Sequence, residues 1–312
     1  MRKLCNLLCL CLSLCLLTAC SPKNDTPPTS HTFTDSTGHT VTVSQPQRVA
    51  VLFSSLADIW VSAGGSLAIT VGETVERGIV AANTAVLVDA GAGKEIDREA
   101  LIAASPDLVI TSADIEAQRE CAAFLRENGI TVAEFRVECF ADYLTVLKIC
   151  TELTGRPDLY ETLGTAQQTR IDALLTQKPL SGKRILFIRA GSSARSVKAK
   201  GGADHFAAAM LTELGAVNIA DEAPLLLDGL AMEVILAEDP DYIFFTAMGD
   251  EEASKAYVAQ MLQGAEWQAL SAVRKSKWSY LPKDLFHYKP CGAWADAYDY
   301  LANEVAALNA DQ

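Results

Sequence analysis

A chain of 312 residues is about two typical domains long, and 50% hydrophobic with 21% charged residues is the composition of a packed globular protein rather than a disordered one. Lys and Arg number 26 against 39 Asp and Glu, a net charge of −13. That balance argues against a nucleic-acid binder, which needs a basic face to displace counterions from phosphates.

The chain opens on Arg2-Lys3 and continues into Leu4 to Leu17, almost unbroken Leu and Cys. Fourteen helical residues span about 21 Å, too short for a hydrocarbon core of roughly 30 Å, so the segment reads as the apolar core of a signal peptide. It ends in Leu17-Thr18-Ala19-Cys20, which resembles the lipobox of bacterial lipoproteins. That resemblance implies cleavage after residue 19 and lipid on Cys20. The stretch from Ser21 to Ser30, rich in Ser, Pro, Thr, Asn and Asp, reads as a flexible tether. Loss of residues 1–19 would remove two basic residues and no acidic one, deepening the negative charge. No later stretch approaches eighteen apolar residues. Four of the nine cysteines leave with the signal, and Cys20 is spoken for. The other four, Cys121, Cys139, Cys150 and Cys291, match no zinc spacing. Spacing alone assigns no disulfide, and buried free thiols are the expected state.

From Arg48 onward short apolar runs alternate with longer amphipathic ones, the pattern of an α/β fold. Strands are expected at Arg48 to Phe53, Leu67 to Val71, Leu108 to Thr111 and Ile130 to Val137. Helices are expected at Leu56 to Ala63, Asp97 to Ala104, Ile115 to Asn128 and Tyr143 to Leu153. The apolar spacing of Leu159 to Gln177 predicts one long helix with Gly164 as its weak point. The alternation then restarts: strand Ile185 to Ile188, a Gly/Ser loop, helix Asp204 to Leu214, helix Ala231 to Ala237 and strand Tyr242 to Thr246. One local signature occurs twice. Glu99 precedes Pro106-Asp107 by seven residues, Glu233 precedes Pro240-Asp241 by seven, and an apolar strand follows each time. This repetition predicts two lobes.

Enzyme signatures are missing. Gly91-Ala-Gly93-Lys94 runs into Glu95 and is not a phosphate loop, and neither a G-x-S-x-G elbow nor an H-E-x-x-H pair occurs. The four histidines, His31, His39, His205 and His287, are scattered.

The opening Thr37-Gly38-His39-Thr-Val-Thr-Val43, then Pro46-Gln47-Arg48-Val49, is similar to the start of cluster-A (class III) substrate-binding proteins of ABC transporters, which serve iron–siderophore, haem and cobalamin import. Glu99 to Ile110 and Glu233 to Phe245 resemble the typical segment of each lobe. Trp267 to Val273, Trp278 to Pro282 and Trp294 to Leu301 resemble the C-terminal run. The resemblance covers residue 32 to the end. It implies two Rossmann-like lobes joined by a single long helix, with the ligand cleft between them. The corresponding boundaries are signal 1–19, tether 20–31, N-terminal lobe 32–157, linking helix 158–178 and C-terminal lobe 179–312. It also implies an ABC permease with its ATPase as partner, engaged by one carboxylate per lobe. By offset from the Pro-Asp pairs these are Glu99 and Glu233.

Open α/β sheets bind ligands at the C-terminal ends of their strands. The candidate cleft residues are therefore Phe53, Ser54 and Ser55, the turn Glu73 to Arg77 with Glu76, the loop after Ile188, Met248, and Phe286-His287-Tyr288 with Lys289 beside them. Arg189, Arg195, Lys198 and Lys200 crowd the loop after Ile188, a cluster suited to the carboxylates of a ferric siderophore or haem propionates. His287 and Tyr288 are the residues that could meet haem iron or a macrocycle, whereas Trp294 and Tyr298 read as helix core. The expected protein is a lipid-anchored, extracytoplasmic, monomeric solute binder without a cofactor of its own. It would capture a metal chelate, an iron–siderophore first and haem or cobalamin as alternatives, and touch the membrane only through its lipid. The alternative of another class is an extracellular lipoprotein enzyme on the same bilobal fold.

Overall fold

The computed structural model describes residues 30–89 and 95–310. The signal segment, Cys20, residues 21–29 of the expected tether and the Gly91 to Lys94 cluster lie outside the described residues, while Ser30 and His31, expected to end the tether, already belong to a strand. Strands β1 (Ser30–Thr34) and β2 (Thr40–Ser44) form an antiparallel hairpin, with Val41 and Val43 turned to the core and the polar positions outward. No strands were expected here. The alternation Thr40-Val-Thr-Val-Ser44 after a Thr-Gly turn is nonetheless a hairpin signal. Asp35 holds the turn, accepting from the backbone N–H of Thr37, His39 and Glu134 and pairing with Arg126 at 3.2 Å.

The first lobe is built on a parallel sheet of β3 (Val49–Val51), β4 (Ile69–Thr70), β5 (Val86–Leu87), β6 (Leu108–Ser112) and β7 (Val132–Phe135), in the order β5-β4-β3-β6-β7. The second is built on β8 (Arg184–Ala190), β9 (Lys198–Ala199), β10 (Val217–Asn218), β11 (Tyr242–Ala247) and β12 (Trp278–Leu281), in the order β10-β8-β11-β12, with β9 antiparallel on β8. Apart from β5 and β9, the two sheets share one order, second-first-third-fourth. Central strands such as β6 and β11 are buried at every position. Burial on both faces explains why they read as unbroken apolar runs rather than alternating ones.

The repeated Pro-Asp signature acquires a physical meaning here. The Asp107 carboxylate accepts from the N–H of Arg48 at 2.9 Å, and that of Asp241 accepts from the N–H of Arg184 at 2.9 Å. In each lobe the Asp before the third strand thus clamps the start of the first.

Between the sheets the chain is helical from Pro157 to Gln177 and interrupted where Gly164 sits. Pro157–Tyr160 and Ala166–Gln177 are α-helical, while Glu161–Thr165 is a π-turn. A Cβ on Gly164 would lie 3.0 Å from Leu144 Cδ2, so any larger residue there would have to push that side chain aside. The wider turn leaves the Leu163 carbonyl open, and the Tyr143 hydroxyl donates to it at 3.1 Å. The C-terminal helix Trp294–Ala310 lies along this segment, with its Ala295 N–H donating to Gln167 at 3.0 Å and Arg170 pairing with Asp296 at 2.7 Å and with Asp299.

One core runs through both lobes. Phe140 and Tyr143 of the first lobe meet Trp294, which meets Phe206 of the second, with ring centroids 5.7 to 6.5 Å apart. Trp294 and Tyr298 are buried in this seam. Cys121, Cys139, Cys150 and Cys291 are all free thiols.

Candidate functional site

The loops at the strands' C-terminal ends converge. Phe53 follows β3, Asp114 follows β6, Val137 and Glu138 follow β7, and together with Ser55 and Lys289 they line a small apolar cavity of about 90 Å³. Lys289 arrives from the second lobe and pairs with Glu138 at 2.8 Å. Beside it Arg77 crosses between the lobes. Its guanidinium donates to Ser54 at 3.0 Å, lies 3.6 Å from Asp58, and stacks 4.3 Å above the Tyr288 ring. Ser54 also donates to Glu73, and the Cys291 thiol donates to the Ser55 carbonyl at 3.3 Å. Glu73 and Arg77 sit four residues apart across the short helix Gly72–Glu76, which brings both to the same side. Burial raises the pKa of Asp58, and the Arg77 charge opposes that shift.

On the facing wall cations gather around two histidines. His205 is pushed down to about 3, first by burial and then by Lys289, Arg189, His287 and Lys200. His287 is pushed down to about 4, first by burial and then by Lys283, Arg189 and Arg77. Both imidazoles are therefore neutral at pH 7, and His205 Nδ1 accepts from the Ala207 N–H at 3.2 Å, capping the helix Phe206–Glu213. Lys283 donates to the Gly249 carbonyl at 2.9 Å and also lies 5.3 Å from the Tyr288 ring. Arg189 makes no ion pair with any described residue. A protein with a net charge of −13 thus concentrates Arg77, Arg189, Lys200, Lys283 and Lys289 in one place.

Both histidines titrate near 6.5 in the unfolded chain, so below that pH the unfolded state binds more protons than the folded one. Stability is therefore lost as pH falls from about 6.5 towards about 4 for His287 and about 3 for His205. The melting temperature should drop over that interval, and His205→Asn, which keeps a capping acceptor, should flatten the drop. An unchanged acid limb in the variant would remove His205 from this account.

The structure brings some of the sequence-predicted residues together and places others elsewhere. Phe53, Ser54, Ser55, Arg189, Lys200, His287 and Tyr288 converge on the same region. Glu76 is exposed at the end of its helix, and its neighbours Glu73 and Arg77 carry the contacts instead. Phe286 is fully buried against Tyr300 and faces the core, not the cleft. Met248 is half-buried at the end of β11, held there by its N–H to the Ala190 carbonyl at 2.8 Å. Lys198 lies opposite Arg189 on the β8–β9 ladder and is exposed, and Arg195 is exposed on the turn beyond. Neither is among the largest influences on His205 or His287. Lys283, Lys289 and Arg77 carry more of the site than the sequence assigned them. The signal available was a cation within reach of an aromatic in Lys283 to Lys289.

Of metal-binding groupings, Asp35, His39 and Glu134 approach within 4.8 Å of one another. The Asp35 oxygens are already occupied by N–H donors and Arg126, so the group is a turn anchor.

Two repeated α/β lobes with a cation-lined opening at their strand ends define a bilobal solute-binding protein. The chain belongs to the periplasmic binding protein family, whose model matches residues 49–285. Members of that family are extracytoplasmic, bind small chelates and work with ABC transporters. The fold is similar to that of the periplasmic vitamin B12 binding protein BtuF of Vibrio cholerae, with a TM-score of 0.68, 19% identity, and 85% of this chain and 98% of that one covered. It is similar to the periplasmic heme-binding protein RhuT from Roseiflexus sp. RS-1, at 0.67, 17%, 85% and 99%. It is similar also to Staphylococcus aureus SirA complexed with staphyloferrin B, at 0.66, 16%, 90% and 100%. No curated protein matches the sequence. Among the described residues no helix is long and apolar enough to cross a membrane.

Proposed function

We propose that this protein is a lipid-anchored receptor that captures an anionic ferric chelate, an iron–siderophore, and hands it to an ABC permease with its ATPase. The observation that carries this reading is the group of five cations around two neutral histidines, with Tyr288 and Phe53 offering flat apolar surface beside them. Carboxylates or catecholates around iron would satisfy Arg189 and Lys200, which make no ion pair with any described residue, beside Arg77, Lys283 and Lys289, which have protein partners. A haem or cobalamin ligand is the second reading, favoured by a neutral His287 whose ring packs 5.1 Å from Tyr288. Neutral imidazole is the form that coordinates iron or cobalt.

Native mass spectrometry against ferric siderophores, haem and corrinoids, repeated across pH, separates the two. An anion offsets only the part of the histidines' depression that comes from neighbouring cations, burial being the larger part, so the complex holds protons more readily and affinity should rise as pH falls towards about 4. Coordination by His287 demands the unprotonated ring, so affinity should instead fall as pH approaches about 4. Enzymatic turnover of the chelate, without stoichiometric saturable binding, would overturn both and favour the enzyme alternative.

Anchoring rests on Cys20, since a thioether needs its sulfur. Cys20→Ala should abolish the lipid-modified N-terminal fragment. The same fragment in both proteins would end that assignment. Delivery rests on Glu99 and Glu233, exposed in the first turns of the helices Arg98–Ala103 and Met232–Glu238, one in each lobe.

A further inference from the structure

An ion pair spans the opening between the lobes. Lys289 of the second lobe meets the Glu138 carboxylate of the first at 2.8 Å. The Lys289 side chain is 16% exposed, with its ammonium 4.8 Å from the centre of the Phe206 ring, whereas the Glu138 side chain is 47% exposed. The two partners are therefore unequal. A sheltered ammonium needs an anion beside it, because a buried charge left unpaired is costly, while a half-exposed carboxylate returns to water at little cost. The backbone at Glu138 is pinned separately, its N–H donating to Asp142 at 2.9 Å, so the carboxylate can leave with its main chain in place.

Glu138 and Lys289 both line the apolar cavity of about 90 Å³. A chelate needs several times that room, roughly 300 Å³ or more. The lobes share one packed core, so the room comes from side chains that swing away rather than from lobes that part. Asp114 and Glu138 are the exposed residues of the lining, and Asp114 is tied within its own lobe to Arg136 at 2.5 Å. Glu138 is the one that holds a cation of the facing wall.

We propose that Glu138 is a specificity-determining residue that stands in for an anionic oxygen of the cargo, occupying Lys289 until a carboxylate or catecholate oxygen takes its place. This rests on the reading of the opening as a site for an anionic chelate, and adds which cation tests the charge. A cargo with such an oxygen exchanges one ion pair for another. An uncharged chelate that pushes Glu138 aside leaves Lys289 sheltered and unpaired, and that penalty rejects it. Arg189 and Lys200 have no such internal competitor among the described residues, so they attract the cargo while Lys289 discriminates.

The test measures binding of three probes to the full-length protein by tryptophan quenching: ferric citrate, a ferric tris-catecholate and an uncharged ferric trihydroxamate. The variants are Glu138→Gln, Lys289→Gln and the two together, with melting temperature as the control for folding. Freed of its internal competitor, the Glu138→Gln protein should bind the anionic probes about fivefold more tightly than wild type. Glu138→Asp keeps the charge but draws it back by one carbon; it should show part of that gain, and it carries the test where the Gln variant melts early. In the Lys289→Gln background the Glu138→Gln change should bring no gain, and Lys289→Gln alone should narrow the preference for anionic over uncharged probes. Unchanged or weaker binding of the anionic probes by a folded Glu138→Gln protein overturns the stand-in and leaves the anionic reading in place. A gain that persists without Lys289 overturns it too, since the effect then belongs to overall charge. Wild-type preference for the uncharged probe, or binding of none of the three, overturns the anionic reading and the stand-in with it.

Discussion

Protein carrying both Glu99→Ala and Glu233→Ala is expected to bind its ligand with nearly native affinity and to support no uptake. Both residues lie in the first turns of short outer helices, and neither touches the cations or aromatics of the cleft. Removing one member of a desolvated charge pair costs about 2–5 kcal/mol, enough to weaken docking tenfold to thousands-fold for each lobe. Two carboxylates on separate lobes also fix orientation, which a single contact cannot do. Ligand titration by quenching of the four tryptophans, beside an uptake assay in cells with the cognate transporter, measures the split. Normal uptake, or parallel loss of binding and uptake, would count against the assignment.

The second large effect belongs to Arg189. It has no ion-pair partner among the described residues, is half-buried near the C-terminal end of β8, and helps to lower both His205 and His287. Hydrogen bonds to charged groups contribute about 1.5–3 kcal/mol, so Arg189→Ala should weaken binding of an anionic chelate by about tenfold to a hundredfold and flatten its salt dependence. Arg195→Ala is the contrast. Its side chain is exposed on the Ala194–Ser196 turn, and its loss should change affinity little. Equal effects from the two variants would mean that the whole hairpin closes on the ligand, and no effect from either would remove the loop from the site.

The parallel strands were readable because burial on both faces makes them continuous apolar runs, as in Leu108-Val-Ile110 and Tyr242-Ile-Phe-Phe245. The two-lobe plan was readable because Asp107 and Asp241 perform the same backbone clamp and so carry the same neighbours in sequence. The site was less legible. Arg77 and Tyr288 are stacked by the fold from opposite ends of the chain, and no local pattern announces such a pair. Phe286 looked available because it adjoins His287 and Tyr288. A one-turn helix, Lys283–Phe286, rotates it into the core while its neighbours stay at the opening. The π-turn at Glu161–Thr165 was visible only as a weak glycine, since its neighbours Leu144 and Tyr143 come from another helix.

The aromatic seam of Phe140, Tyr143, Trp294 and Phe206 welds the lobes through a shared core. A packed interior of this kind has few alternative arrangements, so the spacing between the proposed docking carboxylates Glu99 and Glu233 is expected to stay the same when the cleft fills. A partner that reads only that spacing binds both forms equally and cannot tell them apart. Under the proposed delivery scheme, vacant copies would then occupy the same gates as laden ones. Import would follow the fraction of receptors carrying cargo rather than their number, and in scarcity a cell that made more receptor would slow its own supply.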